Sequence, residues 1–324
     1  MIKMLDISLD NPINIYSGIA SIAAVQSTNE NYQSLMISNH FNVAFYEEIN
    51  APGIDWANYD DSFGQYTRIT EPIKKEGVVK VIKDCLDEGF YVKIVLDHYY
   101  IKQSDYYMKY HNFHDCALVY GYDDKNKMFF ICDNFIYGKY VAEKIHYDIV
   151  QIARESIPDM DADKFTYLDD IVFSLDQSSI KRLINNYLEG KNTYHPNKKD
   201  QKHTIYGSAI YEKIKDVFFN YKVNDIYDVY DNLRITKLME NHYGIINILI
   251  EYCLNHSMLP NHSDMITIRK RIEQLTDKMR YLTRIYFLRA RKNLSNYITQ
   301  ITEKIDEIKE DEKEILIWIR NSLD

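Results

Sequence analysis

The apolar residues of this chain change period near residue 175, and that change limits the fold more than any other feature. Before it, short apolar runs are mixed with helical stretches. After it, from Ser178 to Leu323, apolar residues recur mainly at spacings of three and four, the signature of helices with one buried face. The chain therefore reads as α+β over residues 1–175 and helical over residues 176–324. In the first part Ile19–Val25, Gly77–Leu86 and His146–Arg154 read as helices, and Tyr91–Asp97 and Thr166–Phe173 as strands. In the second part helices are predicted over Ser178–Leu188, Gly207–Asn220 and Tyr227–Cys253. Two packed helices are predicted in Ser263–Leu323, on Ile272, Leu275, Met279, Leu282, Ile298, Ile301, Ile305 and Ile308. The Glu/Lys interleaving of that last tract reads as a solvated face. Gly190–His203 reads as a loop, and Trp56 and Trp318 as core anchors.

Composition removes several function classes. A hydrophobic content of 46% over 324 residues supports a real core. A net charge of -9 leaves no surplus of cations to neutralise phosphates, which argues against nonspecific nucleic-acid binding. No apolar run approaches the ~18 residues of a membrane helix, and Met1–Leu9 is too mixed for an export signal. The cysteines Cys85, Cys116, Cys132 and Cys253 form no CxxC pair, so reduced thiols in a cytoplasmic protein are expected. Cys116 and Cys132 fall where they could approach across a hairpin. The histidines lack HxxxH or HExxH spacing, so neither a metal nor a cofactor is expected. The 29 tyrosines read as the codon bias of an AT-rich bacterial genome.

Chemistry concentrates between His111 and Tyr140. This stretch reads as a β-hairpin turning at Asp123–Lys127, with His114 at the mouth of its first strand and Asp133 at the end of its second. Antiparallel pairing brings those ends together, the arrangement of a general base and its orienting partner. A nucleophile belongs at the N-terminus of a buried helix, and Asn14–Ala24 has that form with Ser17 at its start. The Ser17 backbone N–H and the Asn11 side chain are candidate oxyanion donors, with Asn14 competing for the second place and a plain turn around Pro12 equally open. Asp97 and His98 end a strand before two tyrosines and are candidates to line a substrate cleft.

These motifs resemble a known family. The Gly-x-Ala-x-x-Ala run after Ser17, the His-x-x-x-x-Val-x-Gly-Tyr-Asp run from His114, and Asp133-Asn134-x-x-x-Gly are similar to the butirosin-biosynthesis protein H family. They are also similar to bacteriocin-processing peptidase domains and to papain-like amide-forming enzymes of nonribosomal peptide assembly, such as that of closthioamide. Tyr206-Gly207-x-x-x-Tyr211 resembles an element of that family's helical domain. The resemblance implies a papain-like domain with Ser17, His114 and Asp133 as a triad, and acceptor binding through Tyr206 and Tyr211. It implies acyl transfer from a carrier-protein thioester to a small-molecule amine, without a cofactor. Relatives have cysteine where Ser17 stands, and three readings stay open: a serine enzyme, a cysteine enzyme whose nucleophile is replaced, or a protein that only binds. Hydrolysis of a peptide or amide by the same triad is the alternative chemistry. Tyr206 and Tyr211 serve equally as helix-packing residues, and a homodimer stays open.

Overall fold

A computed structural model describes residues 1–46, 53–57, 67–72, 77–113, 116–136, 138–157, 162–167, 173–192, 204–220, 226–260, 263–292 and 297–323. The chain divides into two compact units, Met1–Tyr32 with Asp60–Val172 and Gln33–Tyr59 with Phe173–Asp324. The change of architecture thus falls close to the change of period. Gln33–Tyr59, however, belongs with the later residues. Its strand β2 (Val43–Tyr46) pairs with β10 (Thr204–Tyr206) on one side and β3 (Gly53–Trp56) on the other, in a small antiparallel sheet. Among the described residues no helix is long and apolar enough to cross a membrane.

The first unit is built on an antiparallel sheet. Its strands are β4 (Thr67–Pro72), β9 (Ala162–Tyr167), β5 (Tyr91–Val95), β6 (Cys116–Asp123), β7 (Met128–Ile136) and β8 (Lys139–His146), in that order, with β1 (Ile2–Met4) also paired to β6. Gly121 lets β1 approach, since a Cβ there would lie 2.5 Å from the Lys3 carbonyl oxygen. The central strands alternate between two apolar layers. Val92, Ile94, Ala117, Val119, Phe129 and Ile131 face α3 (Val78–Asp87) and α4 (Tyr147–Glu155). Tyr91, Leu118, Tyr120, Phe130 and Cys132 face α1 (Ser17–Gln26) through Ala20, Ala24 and Val25. α3 follows from its sequence: Val78, Ile82, Cys85 and Leu86 share one face and are buried. α1 is nearly all small or aliphatic and is buried around its circumference, which lets it lie close against the sheet.

The second unit contains the small sheet, α2 (Tyr32–His40), α5 (Gln177–Leu188), α6 (Ile210–Asn220), α7 (Ile226–Asn255), α8 (Ser263–Lys292) and α9 (Tyr297–Asn321). Asp176 caps α5 by accepting the Ser179 N–H at 2.7 Å. Ile272, Leu275, Met279 and Leu282 on α8, and Ile301, Ile305 and Ile308 on α9, are buried as their spacing predicts. Glu312 is a correction to the solvated-face reading. It sits on the apolar stripe between Ile308 and Ile315 and is 1% exposed. Its carboxylate accepts from Tyr187 Oη at 3.0 Å and from His242 Nε2 at 2.9 Å, while Tyr211 and Tyr243 join hydroxyls at 2.9 Å.

His40, buried against Trp56, has no partner for either ring nitrogen among the described residues. Burial lowers its pKa to about 3. Below about pH 6.5 the unfolded chain gains a proton on this ring that the folded chain does not, so acid favours unfolding. The stability difference between wild type and His40→Leu should therefore shift against wild type by about 1.4 kcal/mol per pH unit between roughly pH 6 and 3. Urea unfolding at pH 8 and pH 5 checks this, and a pH-independent difference would refute it.

Candidate functional site

The end of the sheet where β5 finishes and β6 begins gathers the reactive groups of the first unit. Ser17 is the first residue of α1 and is 3% exposed. Its Oγ accepts the backbone N–H of Cys116 at 2.8 Å, which pins the helix start to the first residue of β6. Tyr16, just before it, has φ +55 and ψ 92, and no side chain caps the helix. A tyrosine in that conformation stores backbone strain beside Ser17, of the kind that collects at functional positions. One turn on, Ser21 Oγ donates to the Ser17 carbonyl at 2.6 Å and lies 2.9 Å from Tyr140 Oη, which then donates to it. Burial holds the Tyr140 phenol well above its ordinary pKa, so it remains a donor.

His114 lies outside the described residues, two positions before Cys116. Asp133 is described, and its surroundings differ from the expectation of a carboxylate turned toward Ser17. It pairs in register with Val141, on the layer that faces α3 and α4, and is fully buried. Its Oδ2 lies 3.1 Å from His98 Nε2 and its Oδ1 accepts the Asn134 N–H at 2.7 Å. His98 Nδ1 is 3.1 Å from Ser104 Oγ, which also accepts the Tyr106 N–H. His98 thus bridges Asp133 and Ser104 through its two ring nitrogens.

The next residue has the other orientation. Asn134 pairs with Tyr140, whose ring packs in the α1 layer, and cross-strand partners share a face. Asn134 Oδ1 is buried and has no donor among the described residues. Period-two reasoning could not find this, because β7 is apolar on both faces and its alternation does not name a side.

Asp97 and His98 are corrected from cleft lining to internal supports. They are 1% and 0% exposed. Asp97 follows β5 and caps a single 3-10 turn, accepting the N–H groups of Tyr99 at 3.0 Å and Asn112 at 3.2 Å. Its other oxygen meets His111 Nδ1 at 2.6 Å and Ser156 Oγ at 3.3 Å. Asn11 closes a local turn, its Oδ1 accepting the Ile13 N–H and its Nδ2 donating to Ser8 O, both at 3.0 Å. In the second unit Tyr206 and Tyr211 are 8% and 0% exposed: Tyr206 ends β10 opposite Ala44, and Tyr211 lies on α6 with its hydroxyl on that of Tyr243, so both are interior residues. Gly207 between them has φ +58, and a Cβ there would fall 2.1 Å from the Tyr187 carbonyl oxygen, so only glycine fits.

The cysteines are free. Cys132 stands level with Leu118, and burial with the neighbouring Asp133 charge raises its pKa to about 12. Burial also raises Cys85, and Cys253 to about 12. These three remain thiols and are poor nucleophiles. No group of side chains suited to a metal ion occurs among the described residues. No protein-family model matches the chain, and no curated protein matches it.

Proposed function

We propose that the first unit is a papain-like acyl or amide transferase, in which Ser17 takes an acyl group from a carrier-protein thioester and passes it to a small-molecule amine. The observation that carries this reading is the Ser17 hydroxyl at the start of a buried helix, hydrogen-bonded to the strand that opens two residues after His114. His114 removes the Ser17 proton during attack and returns it to the departing group. The N-terminus of α1 supplies dipole stabilisation for the oxyanion. The near-complete burial of Ser17 fits a site that keeps water from the acyl intermediate, which favours transfer over hydrolysis. The reading needs no cofactor and places the reaction in the cytoplasm. Incubating the chain with short acyl thioesters and a primary amine tests it by mass spectrometry. Amide product supports transfer, and free acid alone replaces it with the hydrolase.

Within this reading the group that orients His114 comes from the pair Asp133-Asn134. The Asn134 side-chain Oδ1 lies on the α1 layer with no donor among the described residues, whereas the Asp133 carboxylate is engaged by His98. Asn134→Ala should therefore slow acyl transfer, by at most the ~10²–10⁴-fold that loss of the general base itself would cost. Asp133→Asn should lower stability more than rate. Equal transfer rates for Asn134→Ala and wild type, with a large loss in Asp133→Asn, would return the orienting role to Asp133.

A further inference from the structure

The segment between β5 and β6 carries a second imidazole with a defined geometry. His111 is 58% exposed at its side chain, while the Asp97 carboxylate behind it is 1% exposed. Nδ1 lies 2.6 Å from Asp97 Oδ2, and the carboxylate's other oxygen is held by two backbone N–H groups. An acceptor at Nδ1 fixes the proton there and leaves the Nε2 lone pair pointing away from Asp97. Tyr99 stacks on the ring at 4.4 Å and 18°, and Tyr100 meets it edge-on at 6.2 Å. The imidazole is thus fixed in tautomer and orientation, open to solvent, and flanked by phenol rings. An exposed histidine needs none of this for solubility. The position is also specific. Asp97 lies two residues beyond Val95, and Val95 pairs with Cys116, whose N–H holds Ser17.

We propose that His111 and Asp97 form an acid–base subsite for a primary amine, with Tyr99 and Tyr100 receiving the cationic form of that amine. The role of the amine as acyl acceptor rests on the transferase reading above; its binding does not. An amine arrives as an ammonium ion, which the faces of aromatic rings attract. His111 Nε2 takes one proton, leaving a neutral nitrogen with a free lone pair, and its exposure lets it pass that proton to water. The nitrogen attacks the acyl carbon on Ser17 and the C–N bond forms. As the C–Oγ bond breaks, the second nitrogen-bound proton travels through His114 to Ser17 Oγ. Amide and free serine result, and the overall reaction releases one proton.

Two measurements on the full chain test this. In the first, Ser17→Cys is acylated with a short thioester, and the decay of the acyl-enzyme in butylamine is followed by mass spectrometry. Adding His111→Gln should slow aminolysis about 10²-fold relative to acylation, as expected for loss of a general base. Undiminished aminolysis overturns the proposal. In the second, the His111 ring resonances are followed by NMR as butylammonium is added to wild type and to Tyr99→Leu. A saturable shift that Tyr99→Leu weakens supports the subsite. No shift in wild type overturns it. Failure of the acylation step alone counts against the transferase reading, and the NMR result then decides the subsite by itself.

Discussion

Ser17→Cys is expected to form an acyl-enzyme with short acyl thioesters far faster than the wild-type chain. A cysteine at a helix N-terminus becomes a thiolate from an ordinary pKa of about 8.5, and the helix dipole and a neighbouring imidazole lower it further. A serine hydroxyl must instead lose its proton in the transition state. The Cys116 N–H that now meets Ser17 Oγ at 2.8 Å would stabilise the thiolate as well. Adding His114→Ala to Ser17→Cys should lower the rate by ~10²–10⁴-fold, the usual contribution of a general base. Intact-mass measurement of the acylated chain reads both variants. Should Ser17→Cys stay unacylated by every thioester while the wild-type chain binds one of them, a binding protein replaces the enzyme.

Glu312→Ala is expected to destabilise the second unit by about 2–6 kcal/mol, roughly 1–3 kcal/mol for each of two buried donors left without an acceptor. It leaves Tyr187 Oη and His242 Nε2 buried without their acceptor. Replacing the group together should cost much less, because apolar side chains of similar volume leave nothing unsatisfied. The triple variant Glu312→Leu, His242→Leu, Tyr187→Phe provides that comparison in urea unfolding. A loss under 1 kcal/mol for Glu312→Ala would show that water reaches the carboxylate.

Regular periodicity made much of the architecture legible. The hairpin Cys116–Ile136, the helix at Val78 and the helices after residue 176 follow from patterns that one buried face imposes. Glu312 was also readable: Ile305, Ile308, Glu312, Ile315 and Ile319 continue one stripe, and an acid in such a stripe must find partners. The candidate site was less so. Ser17 stands out by the small residues behind it, but its contact with Cys116 joins positions 99 apart in sequence, and no local signal encodes that. The His98–Asp133 pair likewise depends on which face of a doubly buried strand each residue takes. Asp97 and His111 could be seen as acid and base, but they stand 14 residues apart, and only the folded path of the chain between them makes them partners. The short strands β1, β2 and β3 carry too few residues for a period to register.

The discontinuity of the second unit has a consequence for the order in which the protein is made. β2 emerges from the ribosome early, yet its partner β10 begins at Thr204. At ~5–20 residues per second, β2 waits on the order of ten seconds or more with its pairing edge open. Ala44 and Phe45, both buried in the finished fold, lack their β10 partners during that interval. Asp60–Val172 is synthesised in between, so the first unit is complete in sequence before the second is. A polypeptide cut at residue 172 would therefore not be a clean copy of the first unit, because it keeps Gln33–Tyr59 without the rest of the unit to which that segment belongs.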